Sequence, residues 1–428
     1  MSRRPRFYPV IATFVALSLT ACDLLEVDYP GTILEEDLEG PEALDPVYAG
    51  ALYDLARAWS EAVWSTGLLA DEFLASHPAL FFHAIDRRNV DEQLDIDVYL
   101  NTHRVRVSAE AAADRVEQHS EDPEDPRLPE LLAIAGFAYV SLADVYCDGV
   151  PLSSVAPDGS LKYGLPTTGR QLREAALMRF ERALATPAAS GTAGHFARVA
   201  YAQALLGLGR LDDAAAAIAS VPTDYAYRIG HTEEGIGNGV YDLNWRSEAI
   251  TVADSEGGNG LPFRSRLDPR VPWVRSPPNN VGFDRETPLY GLLTYSSRED
   301  PIAIATGFEA RLIEAEAALA NADPQWLVIL QDLRAASGLD FTGVPVLLDQ
   351  GSIDANVDLV FEERAFWLFG TGRRLADLRR LVRQYGRLPD DVFPTGSHPD
   401  GGLYGSSTFF QVPFAERSNP NFTGCLAP

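Results

Sequence analysis

DLVFEERAFWLFGTGRRLADLRRLVRQY, residues 358–385, is the stretch that decides the fold of this chain. Its first half carries apolar side chains at the three- and four-residue spacing of one helical face. Gly370 and Gly372 end that face, because glycine is the usual residue at a helix C-terminus. A second apolar face follows over residues 375–385. The pattern predicts a helical hairpin that is apolar inside and basic outside, with its Arg–Asp ion pairs on the rim.

The same hairpin carries a series of residues that forms a signature: Glu363-Arg364, the aromatic stretch 366–369, Gly370, Arg373-Arg374 and residues 377–380. This series resembles the C-terminal motif of the SusD/RagB-like lipoproteins, which are outer-membrane nutrient-binding proteins of glycan-uptake systems. The resemblance implies an all-α fold of tetratricopeptide-like helical pairs with long irregular loop insertions. We expect the signature residues to be structural, so that they identify the fold and do not mark the binding site.

The first 21 residues predict a lipoprotein signal peptide. Three arginines precede an apolar run, residues 10–19, that is too short to span a bilayer. The tetrapeptide Leu19-Thr20-Ala21-Cys22 resembles a lipobox, so we expect cleavage before Cys22 and a lipid on its sulfur. Two or three acyl chains would then anchor the mature protein stably. The alternative is an ordinary secretory signal followed by a coincidental cysteine.

Two features of the chain point to different membranes. Asp23 directly follows the lipid-bearing cysteine, a position where aspartate favours retention at the inner membrane. The family resemblance implies the outer membrane instead, with the protein facing outward. We follow the resemblance and predict a lipid-anchored protein at the cell surface.

The charge of the chain excludes one class of partner. The formal net charge is -26, and the signal peptide carries three arginines and no acidic residue, so the mature chain carries about -29. A surface of this sign repels phosphate backbones and anionic lipid head groups. We therefore predict no nucleic-acid partner and a membrane contact made through the lipid alone.

Two cysteines remain besides the lipid-bearing one. Cys147 and Cys425 belong to a chain that is expected in an oxidising compartment, where disulfides persist. We predict that they form a disulfide that ties the C-terminal tail to the first half of the chain. The alternative is a pair of unrelated buried thiols.

Helical periodicity divides the mature chain, residues 22–428, into three parts of one predicted domain: a tetratricopeptide-like half (22–221), a loop-rich ligand region (222–300) and C-terminal helical pairs with a tail (301–428). Residues 76–89 hold two histidines and two phenylalanines beside a proline and have no clean period, so they are predicted as a structured loop. Helices are predicted at 45–69, 95–117, 130–146, 172–185, 195–208, 211–220, 307–321 and 324–337.

The loop-rich region is the predicted place for a ligand. Long irregular segments inside a compact chain are usually functional or disordered, and the many aromatic residues here argue against disorder. Aromatic side chains cover the apolar face of a sugar ring, while Asn, Asp and Arg bond its hydroxyls. Each tryptophan also has the alternative of a core or loop-anchoring role. We predict ligand contacts first from Trp245 with Asn244 and Arg246 and from Trp273 with Arg270, and next from Trp64, Phe81 and Phe82.

The sequence carries no motif for catalysis. It has no HExxH, no GxSxG, no phosphate-binding glycine loop and no Cys–His zinc spacing. The acidic stretches 120–129 and 254–259 lack the ligand spacing of a calcium loop. We therefore predict no catalytic residue, no metal site and no cofactor.

The preferred interpretation is a binding protein. The resemblance implies a cell-surface lid that captures a nutrient, in the first place an oligosaccharide, and passes it to a SusC-like TonB-dependent β-barrel transporter. A tetratricopeptide-like assembly scaffold in the envelope is the main alternative. A surface glycoside hydrolase is a weaker one, because some carboxylate pair always lies within reach among 61 acidic residues.

Overall fold

A computed structural model describes residues 40–94, 97–156, 159–275 and 280–426. The signal peptide, Cys22 and Asp23 lie outside the described residues, so the predictions made on them remain predictions.

The fold is built from α-helices, as predicted. Helices occur at all eight of the predicted positions, with bounds that differ by a few residues. The helices are α1 Leu44–Leu69, α2 Leu80–Asp86, α3 Val98–His119, α4 Arg127–Val145, α5 Gly169–Ala185, α6 Thr192–Gly207, α7 Leu211–Ile218, α8 Gly239–Tyr241, α9 Gly307–Ala320, α10 Gln325–Ala336, α11 Ile353–Trp367, α12 Arg374–Tyr385 and α13 Pro389–Val392.

Helix α4 is the centre of the core. It is apolar around its whole circumference, and such a helix must be covered on all sides. It packs against α3, α5 and α6, and the ring of Phe180 lies on Gly136, where a Cβ atom would come within 2.6 Å of the ring. Within the described residues, α4 is the one helix whose length and composition would suit a membrane, but most of it is buried inside the protein. Its apolarity therefore serves the core.

Short antiparallel strand pairs connect the helices, and one of them positions the site described below. β1 pairs with β7 through Phe73↔Val252, Leu74↔Thr251 and Ala75↔Ile250, and both strands are buried. The strands are β1 Phe73–Ala75, β2 Val150–Pro151, β3 Ser154–Val155, β4 Leu161–Lys162, β5 Pro166–Thr167, β6 Ala226–Ile229, β7 Ile250–Val252, β8 Trp273–Arg275, β9 Tyr290–Leu292 and β10 Ile302–Thr306. The other pairs are β2–β5, β3–β4, β6–β10 and β8–β9.

The signature hairpin forms its two helices, but the prediction of a basic outside was wrong. α11 packs on α9, whereas α12 lies against α1 and α4, so the two helices separate and reach different neighbours. The arginines lie between these elements. Five of them are only 2–6% exposed: Arg364, Arg373, Arg374, Arg379 and Arg380.

Each of these buried guanidinium groups has partners within the protein. Arg364 binds both oxygens of Asp377 at 2.9 Å, and Arg374 binds both oxygens of Asp71 at 2.6 and 2.8 Å. Arg379 donates to main-chain carbonyls at the end of α4, including that of Tyr146 at 3.0 Å. Burial, together with the neighbouring Arg383 and Arg173, lowers the pKa of Arg379 to about 9. The signature therefore acts as an internal connector between the two ends of the chain.

Two further features concern the segments that follow β1 and α4. Residues 76–89, predicted as a loop, contain the short helix α2, which buries Phe82 and Ile85 three residues apart on one face. Cys147 and Cys425 are joined in a disulfide, the pairing expected from the sequence. Next to it, Asp148 and Leu426 form an antiparallel bridge, and Tyr146 and Phe410 form a parallel one. The C-terminal tail is thus fastened beside the end of α4.

Candidate ligand-binding site

Three of the predicted ligand contacts come together with two aromatic rings that the sequence did not single out. The ring of His77 stacks on that of Phe283 with centroids 4.5 Å apart and an angle of 18°. Phe81 and Phe82 lie 4.1 Å apart, and Phe82 lies 5.3 Å from His77 and 5.6 Å from Trp64. We call these five residues the aromatic platform.

The backbone around Ser76 holds the platform in place. Ser76 continues from β1; its N–H donates to the carbonyl of Ala249 at 2.9 Å and its hydroxyl donates to the carbonyl of Glu248 at 2.8 Å. Its carbonyl accepts the N–H of Asp284 at 3.0 Å, which brings the loop with Phe283 against His77. Gly282 is required at this crossing, because a Cβ atom there would lie 2.3 Å from the Ser76 side chain.

The platform has supporting rings and presented rings. Phe82 is buried and Trp64 is partly buried, so these two form the support. Phe81 is 37% exposed, Phe283 is 49% exposed, and the neighbouring Leu80 projects still further into solvent. The presented rings offer an apolar surface that water covers in the free protein. Such a surface suits a flat, amphipathic ligand.

Polar groups surround the presented rings. Nδ1 of His77 accepts the N–H of Ala79 at 3.0 Å, so the neutral ring carries its proton on Nε2. Partial burial and the neighbouring His83 lower the pKa of His77, which keeps the ring neutral at pH 7. Burial alone would raise the pKa of Asp284, but hydrogen bonds, chiefly from Thr287, hold it below its usual value. The exposed Arg285 completes this rim.

Two of the other predicted residues have their side chains fully engaged within the protein. Asn244 is 1% exposed; its amide donates to the carbonyls of Ile250 and Tyr290 and accepts the N–H of Leu292. The Arg270 side chain is 2% exposed and lies between Asp268 and Glu363. For both residues the structure gives a structural role in place of the predicted ligand contact, because no donor or acceptor faces solvent.

The remaining three predicted residues lie around β9, and among the described contacts none joins them to the platform. Trp245 packs over Gly291 and donates to the carbonyl of Leu292 at 3.0 Å. Trp273 donates to the carbonyl of Arg264 at 3.2 Å, and its ring meets the edge of Tyr290. Arg246 is exposed and pairs with Asp242. The two tryptophans are partly exposed loop anchors.

A separate groove runs along α3. It encloses about 460 Å³ and is lined by Leu100, Val107 and Pro151, with His103 and Glu416 among its polar groups. Burial and the neighbouring Arg106 lower the pKa of His103 to about 3, so this ring is neutral. None of the residues predicted to contact a ligand lines the groove.

Neither a protein-family model nor a curated protein matches the sequence. Solved structures do match. A SusD superfamily protein from Parabacteroides distasonis aligns with a TM-score of 0.68 and 13% identity, over 90% of this chain and 98% of that one. The chain has the SusD-like fold.

Other SusD-like structures agree over the same extent. Surface glycan-binding protein A from Bacteroides uniformis gives a TM-score of 0.67 at 13% identity, covering 90% of this chain and 99% of that one. A SusD superfamily protein from Bacteroides thetaiotaomicron gives 0.66 at 16% identity, with the same coverage. At these identities the comparison establishes the SusD-like fold alone, and the site has to be argued from this chain's own residues.

Proposed function

We propose that this protein binds an oligosaccharide at the aromatic platform and acts as the lid of a TonB-dependent outer-membrane transporter. The observation that carries the binding proposal is the stacked pair of His77 and the exposed Phe283, joined through Phe82 to the exposed Phe81, in a chain with the SusD-like fold. Structures of this fold include a surface glycan-binding protein and a laminarin-binding protein, which supports a glycan as the ligand.

The chemistry of the platform suits a sugar. The C–H face of a pyranose would lie on the rings of Phe81 and Phe283, which lose their contact with water. Nε2–H of His77 would donate to a ring hydroxyl, and Arg285 could donate to others. Asp284 is already bonded to Thr287, so it shapes the rim more than it binds. Binding of this kind needs no bond-making step, and we propose a binding protein, not an enzyme.

The lid role and the location rest on the family resemblance. We propose that Cys22 carries the lipid, that the protein faces outward from the outer membrane, and that its partner is a SusC-like β-barrel. The mature chain from residue 22 to 428 would then be one SusD-like domain, with the platform formed by residues from both 22–221 and 222–300.

The binding proposal is tested on the mature chain with Cys22 replaced by serine, which removes the lipid. Soluble oligosaccharides of several linkage types are titrated by calorimetry and by tryptophan fluorescence, since Trp64 is one of the supporting rings of the platform. If each presented ring covers about 50–80 Å² of apolar surface, its loss costs about 1–2 kcal/mol. Phe81→Ala and Phe283→Ala should therefore weaken binding by about 5- to 30-fold.

Phe414→Ala is the matched control, because Phe414 is 54% exposed and belongs to the C-terminal tail outside the platform. It should leave the affinity unchanged. If the platform variants bind as tightly as the unmodified chain, the platform is not the site. If no glycan binds, the ligand class is wrong, and if a shortened glycan appears, the protein is a hydrolase.

The lid proposal is tested by purifying the lipidated protein from membranes in mild detergent and identifying the proteins that accompany it. A stoichiometric large β-barrel supports the lid. Inner-membrane or periplasmic partners would instead favour the assembly scaffold and the sorting signal at Asp23.

A further inference from the structure

Two histidines and two aspartates that are far apart in the sequence meet at the end of α2. His83 and Asp86 belong to α2, and His398 and Asp400 belong to the tail. Oδ2 of Asp400 lies 3.8 Å from Nδ1 of His83 and 3.9 Å from Nδ1 of His398. Nε2 of His398 lies 3.1 Å from Oδ2 of Asp86. We call these four residues the His–Asp cluster.

We propose that the His–Asp cluster is a zinc site, with His83, His398 and Asp400 as ligands and Asp86 holding His398 in position. Two imidazole nitrogens and one carboxylate oxygen are a ligand set that zinc accepts, with water in the fourth position. Hard cations such as calcium prefer oxygen ligands only, so the two nitrogens select against them.

Two of the three distances between the proposed ligand atoms lie close to those of a zinc site. Ligand atoms about 2.0–2.1 Å from a tetrahedral zinc lie about 3.3 Å from one another. The separations of 3.8 and 3.9 Å between Asp400 and the two histidines therefore need to close by about half an ångström. His83 lies outside the group of residues whose ligand atoms are all within 4.8 Å of one another (Asp86, His398 and Asp400), so its side chain has to turn toward His398 for an ion to bind all three ligands. Asp400 can move, because Gly401 and Gly402 follow it in an exposed turn.

The orientation of His398 already matches that of a metal ligand. Zinc-bound histidines generally donate their second ring N–H to a carboxylate, which fixes the ring. Nε2 of His398 is placed to do this with Asp86, which is buried and also accepts the N–H of Ala75 at 2.9 Å. Nδ1 of His398 accepts the N–H of Asp400 at 3.1 Å, and zinc would replace that weak local bond.

Burial and charge favour a cation at this place. The His398 side chain is fully buried, while His83 and Asp400 are 23% and 25% exposed and leave a route from solvent. Nδ1 of His83 is buried and has no hydrogen-bond partner within the described part of the chain. Within the described residues, the nearby Arg87 donates to the main-chain carbonyl of Asp400 and not to its carboxylate.

The ion would join α2 to the tail. Because α2 carries Phe81 and Phe82, zinc would stiffen one side of the platform, but the site itself does not depend on what the platform binds.

The test uses the mature Cys22→Ser chain, free of affinity tags and stripped with EDTA. Zinc chloride, calcium chloride and magnesium chloride are each titrated by calorimetry at pH 7.5, and bound metal is counted by mass spectrometry. We expect one equivalent of zinc. His83→Gln and Asp400→Asn, both at the partly exposed edge of the cluster, should each weaken zinc binding by at least tenfold. Asp86→Asn should weaken it by about 10- to 100-fold while the stoichiometry stays at one.

His119→Gln, at the end of α3, is the control for loss of an unrelated histidine and should bind zinc like the unmodified chain. The proposal is overturned if the unmodified chain takes up no zinc. It is also overturned if His83→Gln and Asp400→Asn bind zinc as tightly as the unmodified chain, or if calcium binds more tightly than zinc.

Discussion

Glu363 and Glu362 are adjacent glutamates whose replacement by glutamine should have very different effects. The Glu363 side chain is fully buried and accepts four hydrogen bonds, two from Arg270 at 2.7 and 3.1 Å and two from Arg334 at 3.1 and 2.5 Å. Glutamine is neutral, and its amide hydrogens would face guanidinium hydrogens. Breaking a buried ion pair in this way costs about 3–5 kcal/mol.

Glu362 is the matched control, because its side chain is 28% exposed and it binds a single arginine, Arg266. A pair of this kind contributes about 0–1 kcal/mol. At about 2.1 cal/mol/K per residue, a chain of about 400 residues has an unfolding entropy of about 0.8 kcal/mol/K, so 4 kcal/mol corresponds to a loss of about 5 °C in Tm.

Urea unfolding followed by circular dichroism, with calorimetry for Tm, measures both variants. The expected order is a large loss for Glu363→Gln and a small one for Glu362→Gln. If Glu363→Gln stays within 1 kcal/mol of the unmodified chain, or if both variants lose the same stability, buried guanidinium pairing does not hold this region together.

Three further outcomes are expected. Burial raises the pKa of Glu72 from 4.5 to about 8, so its contribution to stability is complete below pH 4.5 and is lost as the pH rises to 8. Glu72→Gln should therefore flatten the dependence of the unfolding free energy on pH between 4.5 and 8. An unchanged slope would contradict the shift. The unfolded, unreduced mature chain with Cys22 replaced by serine should show no free thiol, and two titratable thiols would disprove the bond. Replacing both Cys147 and Cys425 by serine should lower the unfolding free energy by about 2–5 kcal/mol, because the bond closes a loop of 278 residues. Gly291→Ala would bring a Cβ atom within 2.4 Å of the Trp245 ring. The variant should lower the unfolding free energy by about 1–3 kcal/mol and alter the tryptophan emission. An unchanged emission spectrum would mean that the Trp245 ring does not lie on Gly291.

The sequence predicts the helices well because their apolar periodicity is local. It does not predict which arginines are buried, because the partner of Arg374 is Asp71 in another part of the chain, and nothing local distinguishes a buried guanidinium from an exposed one. α2 was missed because seven residues that follow a proline are too few to establish a helical period.

The candidate site was predicted in part. Trp64, Phe81 and Phe82 follow from their aromatic character and from their place in or beside an irregular segment. Phe283 is also aromatic, but its contact with His77 depends on the pairing of β1 with β7, about 175 residues apart in the chain. Asn244 and Arg270 have the residue types that bind sugars. Their side chains serve the core instead, and only burial reveals the difference.

The buried arginine contacts also constrain the order in which the molecule can assemble. Asp71 bonds Arg374, 303 residues later, Glu72 accepts the N–H of Gly370, 298 residues later, and Arg88 donates to the carbonyl of Pro394, 306 residues later. During synthesis the N-terminal helices appear long before these partners exist. A chain without these late residues leaves Asp71, Glu72 and Arg88 without these hydrogen bonds. We therefore expect a chain that stops before residue 370 to be less stable than the full chain, because these buried groups then lack their partners.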